Sequence, residues 1–140
     1  MSTSKASARW DGTLREGRGT MKPANGPDVA FSVKTRFEGE KGSNPEEMVG
    51  AALAGCFSMA LSAALGRAGV NPTSIETEAS VALEKQGDGF AITTISLQTQ
   101  AKVPGLDAAK FETIAQETKA QCPVSKALAG TKISLQAKLI

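Results

Sequence analysis

The sequence predicts one domain of the α+β class over residues 1–140, and two patterns support that fold class. One long stretch, residues 44–69, combines a helix start, an uncharged interior and a helix end. Shorter stretches on both sides of it alternate apolar and polar residues, as half-buried strands do. The predicted order is three strands, a helix, two strands, a helix and a strand. A chain of 140 residues is long enough to bury a core for these elements.

The long stretch carries helix signals at both ends. Asn44 is a favourable N-cap, and Pro45 suits the first helical position because no N–H is needed there. Glu46 and Glu47 follow in the first turn, where the helix dipole favours carboxylates. Gly69 fits a left-handed helix end. Because the residues between these ends are apolar on every side, we predict a buried central helix that the sheets surround.

The uncharged run from Met48 to Leu65 is also long enough for a membrane span. Most of its residues are Ala, Gly and Ser, which insert weakly into a bilayer, so a core helix is the better interpretation. The first ten residues contain no apolar run of the kind that secretory signals have. We therefore predict a cytoplasmic protein that does not associate with membranes.

Six stretches alternate in the manner of strands and are separated by turn residues. They are residues 6–10, 13–21, 29–37, 75–85, 90–103 and 133–139. Asp11-Gly12 predicts a tight hairpin between the first two stretches. In the fifth stretch the apolar residues change phase near Thr93-Thr94. One extra residue there restores the buried face, so we predict a β-bulge.

Two further helices are predicted in the last third of the chain. Asp107 is a favourable cap for the first, which must end near Gln121, because the residue before a proline avoids the helical region. Cys122 is the residue before Pro123. Pro123 can begin a second, short helix over residues 124–129.

Composition excludes several kinds of site. The formal net charge is only +2 and the basic residues are scattered, which predicts no nucleic-acid partner. The chain has no His, which excludes Ser–His–Asp triads, Cys–His pairs and zinc sites that contain His. Two Cys residues cannot form a four-Cys zinc site either. We therefore predict no metal ion and no bound cofactor.

The two cysteines are the candidates for chemistry. Cys122 precedes a helix start, where free N–H groups lower the pKa of a thiol. Cys56 lies among apolar residues, where burial raises its pKa. It is therefore either a small core residue or a reactive one that needs a cation beside it. Arg36, Arg18 and Arg67 are candidate cations, since a guanidinium stays charged even when it is buried.

A buried guanidinium needs a carboxylate to hold it, and Glu46 and Glu47 are the carboxylates nearest in sequence to Cys56. The ordinary alternatives are that Glu46 is a helix-start charge and that Arg36 is the solvated end of a strand. Local sequence leaves both interpretations open.

Several segments resemble the OsmC branch of the OsmC/Ohr hydroperoxide reductase family. The strongest are RFEGEKGSNPEE (36–47), GCFSMAL (55–61) and QCPVSKAL (121–128). The resemblance continues through ARWDG (8–12), NPTSIET (71–77) and VPGLDAAKF (103–111), so it covers nearly the whole chain in family order.

The resemblance implies an OsmC-like fold in which antiparallel sheets wrap around a buried central helix. It implies an intertwined homodimer with two active sites at the subunit interface. The implied activity is a thiol-dependent peroxidase that reduces organic hydroperoxides, and hydrogen peroxide less well, to alcohols in oxidative or osmotic stress defence. The implied reductant is an external dithiol, which is lipoyl-linked in several members.

The resemblance also implies roles for four residues. Cys56 falls on the family's peroxide-attacking cysteine and Cys122 on its resolving cysteine. Arg36, on the strand before the helix, and Glu46 fall on the family's arginine and glutamate. One position departs from the pattern, since Leu53 stands where many OsmC members have His.

Helix geometry adds a hypothesis about how these four residues meet. Glu46 and Cys56 are about 15 Å apart along one helix, a span that a single arginine side chain does not easily bridge. We therefore expect a composite site, with both cysteines from one subunit and Arg36 and Glu46 from its partner. Phe57, Met48 and Met59 are candidate apolar walls. The alternative function is a non-catalytic small-molecule-binding protein of the same fold with structural cysteines.

Overall fold

A computed structural model describes all residues of the chain, 1–140. The chain forms two compact units, Met1–Met48 and Val49–Ile140. Each unit has its own three-stranded sheet, and helices accompany both, which confirms the α+β class. The expectation of a single domain over 1–140 stays a prediction.

The sheet of the first unit is antiparallel and packs around an aromatic pair. Its strands are β1 (Ala6–Asp11), β2 (Arg18–Pro23) and β3 (Val29–Phe31). In register, Gly19 of β2 lies between Trp10 of β1 and Phe31 of β3. The two ring centroids are 5.4 Å apart. A Cβ atom at Gly19 would lie 2.5 Å from the Phe31 ring and 2.7 Å from the Trp10 ring, so only glycine fits there.

The predicted tight hairpin at Asp11-Gly12 is wrong, because residues 12–17 form a longer loop. The N–H of Gly17 bonds to the Thr13 carbonyl at 2.8 Å, and the N–H of Glu16 bonds to the Thr13 hydroxyl at 3.3 Å. These local hydrogen bonds keep residues 13–17 in the loop, although they were predicted to belong to the second strand.

The predicted strand 29–37 is also wrong in its second half, where α1 (Val33–Phe37) begins. Ser32 and Thr35 form a capping box: the Ser32 hydroxyl accepts the N–H of Thr35 at 3.2 Å, and the Thr35 hydroxyl accepts the N–H of Ser32 at 2.9 Å. This reciprocal cap stabilises a helix start in spite of the alternating pattern. Arg36 therefore lies on a helix and not at a strand end.

The long helix α2 (Pro45–Arg67) begins and ends as predicted. Asn44 Oδ1 accepts the N–H of Glu47 at 2.9 Å, while the Glu47 carboxylate bonds to the Ser43 hydroxyl at 2.8 Å. Beyond the helix, Gly69 has a φ of 82°, the left-handed conformation that ends many helices.

We predicted that α2 is buried on every side, but the chain itself buries only one face of it. The buried face is a row at four-residue spacing: Leu53, Phe57, Leu61 and Leu65, each 0% exposed. The opposite face is exposed and carries small or flexible residues: Ala51, Ala52, Gly55, Met59 and Ala63. The helix is long and apolar enough to cross a membrane, and 28% of its apolar window is buried. The absence of membrane association therefore stays a prediction.

The second unit contains a long hairpin with the predicted bulge. Strands β4 (Ser74–Gln86) and β5 (Gly89–Lys102) pair antiparallel. Ala82 pairs with Thr94 and Leu83 with Ile92, so Thr93 is the extra residue and the bulge is confirmed. The Thr93 hydroxyl donates to Glu84 across the strands.

Helix α2 is also attached to this hairpin by a chain of hydroxyl groups. The Ser58 hydroxyl of α2 bonds to Thr77 Oγ1 at 2.8 Å, and Thr77 bonds to Thr99 Oγ1 at 2.9 Å. Thr99 is 2% exposed and donates to the carbonyl of Glu76 at 3.1 Å. The buried hydroxyls are thus satisfied by one another and by the backbone.

The remaining elements are α3 (Ala108–Gln121), α4 (Pro123–Ala127) and β6 (Lys132–Leu139). The Asp107 cap is confirmed, since its carboxylate accepts the N–H of Lys110 at 3.0 Å. Strand β6 pairs parallel to β5, so the second sheet is mixed where antiparallel sheets were expected. The two helices between β5 and β6 form the crossover that parallel neighbours require.

Candidate active site: a cysteine pair and an arginine–glutamate pair

The structure brings the two cysteines together in the second unit. Their Sγ atoms are 2.9 Å apart although the residues are 66 positions apart, and both are free thiols. Cys56 projects from the middle of α2 and is partly exposed. Cys122 is 1% exposed and joins α3 to α4. A pair at this distance can be oxidised to a disulfide.

The backbone at Cys122 follows from the proline after it. Its φ of −55° and ψ of 129° lie outside the helical region, as expected for a residue that precedes Pro123. Its N–H bonds to the Thr118 carbonyl at 2.9 Å, and its carbonyl accepts the N–H of Lys126 at 3.0 Å. Cys122 therefore ends α3 and begins α4, which places its sulfur among the first N–H groups of α4.

The surroundings shift the pKa values of the two thiols in opposite directions. Burial raises the pKa of Cys122, but the hydrogen bond with Cys56, the N–H and hydroxyl of Ser125 and the N–H of Val124 lower it, and the net pKa is lowered. Burial and the hydrogen bond with Cys122 raise the pKa of Cys56, against a smaller effect of the Val124 N–H. Within the second unit Cys122 is the more acidic thiol, as local sequence predicts, and no cation lowers the pKa of Cys56.

The first unit contains the other pair of candidate residues. Arg36 Nε donates to both carboxylate oxygens of Glu46 at 3.1 Å, and Nη2 donates to Oε1 at 2.5 Å. Glu46 is 8% exposed, and the Arg36 side chain is 34% exposed. The Arg36 Cζ lies 5.2 Å from the centroid of the Phe37 ring. The ion pair fixes the guanidinium and leaves Nη1 without a hydrogen bond to the chain.

An apolar cavity of about 200 Å³ adjoins this guanidinium. Its lining residues are Trp10, Leu14, Phe31, Ser32, Val33, Arg36 and Phe37. All of them belong to the first unit. The cavity thus combines a fixed cation with apolar walls, which suits a small molecule with an apolar body and a polar end.

The other candidate cations are less suitable. Arg18 and Arg67 are exposed and form no ion pair. Arg67 lies 11 residues after Cys56 on the same helix, a rise of about 16 Å. No group of three or more His, Cys, Asp or Glu side chains is arranged to hold a metal ion.

The profile of the OsmC-like protein family matches residues 38–137. The chain belongs to the OsmC family. Peroxiredoxin OsmC of Escherichia coli K12 is 52% identical over 126 residues, which cover 89% of this chain and 88% of that protein. The Organic hydroperoxide resistance protein of Xanthomonas axonopodis pv. citri is 30% identical over 119 residues, which cover 83% of this chain and 81% of that protein.

Solved structures of the OsmC family agree in fold. The organic hydroperoxide resistance protein OhrB of Bacillus subtilis has a TM-score of 0.72 at 26% identity, and the match covers 96% of this chain and 97% of that one. An OsmC-like protein of Vibrio cholerae has a TM-score of 0.78 at 17% identity, with 98% of this chain and 99% of that one covered. The second likeness concerns the fold alone.

Two further residues near the cysteine pair are buried. Leu53, which the resemblance marked as a departure from the family pattern, is 0% exposed and belongs to the core of the second unit. Ser125 was not predicted as a site residue, yet its hydroxyl is buried beside Cys122. The sequence signal was present in the three-residue spacing from Cys122, which places Ser125 at the third position of α4.

Proposed function

We propose that this chain is a thiol-dependent peroxidase that reduces organic hydroperoxides, and hydrogen peroxide less well, to alcohols. The observation that carries the proposal is the 2.9 Å separation of the Cys56 and Cys122 sulfur atoms. Relatives support it, because one at 52% identity is named a peroxiredoxin and one at 30% an organic hydroperoxide resistance protein.

In the proposed reaction the Cys56 thiolate attacks the distal oxygen of the hydroperoxide. The O–O bond breaks, the alkoxide takes a proton and leaves as the alcohol, and Cys56 becomes a sulfenic acid. The Cys122 thiolate then attacks the sulfenic sulfur, an S–S bond forms and hydroxide leaves. An external dithiol, such as a lipoyl group, reduces the disulfide by thiol exchange.

We assign the cation that activates Cys56 to Arg36, held by Glu46, from the partner subunit of a homodimer. Two observations support this composite site. No cation within the second unit lowers the pKa of Cys56. The exposed face of α2 around Ala52, Gly55 and Met59 is apolar, as a subunit interface would be. The guanidinium would also stabilise the charge that develops on the leaving oxygen.

The apolar cavity beside Arg36 supports an organic substrate. A cavity of about 200 Å³ bounded by Trp10, Phe31 and Phe37 is larger and more apolar than hydrogen peroxide requires. Phe57, one of the expected substrate walls, is 0% exposed and is better described as core. The proposed setting is a single domain that acts in the cytoplasm in oxidative or osmotic stress defence.

Thiol titration during one turnover tests the function. The reduced protein should lose two thiols for each cumene hydroperoxide consumed and release one alcohol. The Cys56→Ser variant should consume none, and full activity in that variant would overturn the assignment. A binding protein with structural cysteines would instead retain the hydroperoxide without losing thiols.

A further inference from the structure

Ser125 has a buried hydroxyl without a partner. The residue is 6% exposed, and its Oγ is the only buried side-chain oxygen or nitrogen atom in the chain that makes no hydrogen bond. Such a group is costly to bury, and native structures satisfy nearly all of them. An orphaned buried hydroxyl therefore requires an explanation, and a catalytic role is one that native structures provide.

The position of Ser125 places it beside Cys122. Cys122 is the N-cap residue of α4, and Ser125 is the third residue after it. A residue at this position directs its N–H at the side chain of the N-cap, and its own side chain reaches back toward the N-cap residue. Apart from the Cys56 thiol, the Ser125 hydroxyl is the only side-chain group among those that lower the pKa of Cys122.

The charge state of Cys122 explains why the hydroxyl is unpaired. A thiol is a weak acceptor, so Ser125 gains little from bonding to it in the reduced form. A thiolate is a charged acceptor, and hydrogen bonds to charged groups are about twice as strong as neutral ones.

We propose that Ser125 is a positioning residue for the resolving step, in which its hydroxyl donates a hydrogen bond to the Cys122 thiolate. This inference rests on the proposed function. The thiolate attacks the sulfenic sulfur of Cys56, the S–S bond forms, the S–O bond breaks and hydroxide leaves with the negative charge. Ser125 stays neutral throughout and gives up no proton. Cys56 is the only titratable group among those that shift the pKa of Cys122, so the hydroxyl acts there without competition from a carboxylate or an amine.

The Ser125→Ala variant tests the proposal in two backgrounds. In the Cys56→Ser chain, where Cys122 is the only thiol, Ser125→Ala should raise the pH at which the thiolate absorbance appears. With both cysteines present, disulfide formation at neutral pH should slow about tenfold, the scale of one hydrogen bond to a charged group. The sulfenic acid should survive longer in stopped-flow trapping with dimedone.

Two further variants separate this role from a structural one. Ser125→Thr keeps the hydroxyl and should restore the lower titration midpoint. Ser134→Ala removes an exposed hydroxyl on β6 and should leave the midpoint unchanged. If Ser125 is only an imperfection of the core, Ser125→Ala will unfold at an equal or higher temperature with an unchanged midpoint and resolution rate, which overturns the inference. The proposed function would fail separately, by activity in Cys56→Ser.

Discussion

Cys56 Sγ lies 2.9 Å from Cys122 Sγ, although one residue belongs to the middle of a long helix and the other to the junction of two helices. The separation depends on Pro123, which ends α3 and turns Cys122 out of the helical region. The two thiols are therefore close enough for a disulfide, and they differ in acidity because the pKa of Cys122 is lowered and that of Cys56 is raised.

Removing the second sulfur should trap the first intermediate. In Cys122→Ser, one equivalent of hydroperoxide should convert Cys56 to a sulfenic acid that no neighbouring thiol can capture. Excess hydroperoxide should then oxidise it to the sulfinic acid and inactivate the protein. Intact mass spectrometry measures both products as additions of one and two oxygen atoms. An unmodified product would contradict the assignment of Cys56 as the attacking thiol, and a turnover rate equal to that of the unchanged chain would contradict the assignment of Cys122 as the resolving residue.

The two thiols should ionise in a defined order. The hydrogen bond from Cys56 is the largest cause that lowers the pKa of Cys122, and a serine hydroxyl at position 56 can still donate one. The Cys56→Ser chain should therefore form its thiolate below the ordinary value of 9.0. A lowered folded-state pKa stabilises the fold fully above the unfolded-state pKa, and this stabilisation is lost as the pH falls through the folded-state pKa. The free energy of unfolding of the Cys56→Ser chain should therefore rise as the pH approaches 9.0 from neutrality. Thiolate absorbance and urea unfolding across this range measure the two effects.

The composite site predicts an effect of Arg36 on the thiol of Cys56. In the Cys122→Ser chain, the additional change Arg36→Met should raise the pKa of Cys56, because it removes the cation that favours the thiolate. It should also lower the rate of reaction with hydroperoxide about a hundredfold, the scale of one lost charge-stabilising donor. Arg67→Met removes an exposed, unpaired arginine and is the matched control. Equal effects of the two changes would contradict the role of Arg36.

The Arg36–Glu46 pair should also contribute to stability. Glu46 is 8% exposed, so Arg36→Met leaves a buried carboxylate without its partner, which costs about 1–3 kcal/mol. Arg36→Met, Glu46→Gln should recover part of that loss, because the remaining amide carries no charge. Urea unfolding of both variants measures the difference. A double variant no more stable than Arg36→Met would show that the buried charge is not the cause.

The first sheet should not tolerate a side chain at Gly19. The Gly19→Ala methyl group would overlap the Phe31 and Trp10 rings, which should destabilise the protein by about 1–3 kcal/mol. Because Trp10 is the only tryptophan, its fluorescence reports the displacement directly. Gly66→Ala is the control, since its added Cβ would contact nothing within 4 Å, and it should stabilise α2 by about 0.5–1 kcal/mol.

A charge on the exposed face of α2 should disrupt the proposed homodimer. Met59 is 78% exposed in the single chain, and Met59→Glu would place a carboxylate in the apolar interface. Sedimentation velocity should show a shift toward the monomer, with a parallel loss of peroxidase activity. Ala109→Glu, at an exposed position of α3, is the control. An unchanged sedimentation coefficient for Met59→Glu would show that this face is not the interface.

The sequence predicted elements whose signals are local. Asn44, Pro45 and Gly69 delimit α2 correctly, and the phase change at Thr93 identifies the bulge. Pro123 sets the geometry of Cys122, because its ring restricts the residue before it.

The predictions that were wrong depended on competing local signals or on contacts between residues far apart in sequence. The alternation that continues through Val33 favoured a strand, but the reciprocal cap of Ser32 and Thr35 stabilises a helix. The parallel pairing of β6 depends on how α3 and α4 return the chain, which periodicity does not encode. The three-residue spacing from Cys122 placed Ser125 in the first turn of α4, but only the coordinates show that its hydroxyl is buried.

The hydroxyl chain from Ser58 through Thr77 to Thr99 has a mechanical consequence for Cys56, which lies two residues before Ser58 on α2. A helix held only by leucine and phenylalanine side chains can rotate about its axis at little enthalpic expense, since dispersion contacts are not directional. Hydrogen bonds are directional, so the three linked hydroxyls restrict rotation of α2 about its axis and fix the direction in which the Cys56 sulfur points. In the proposed peroxidase, each round of oxidation and reduction would therefore begin from the same orientation of Cys56.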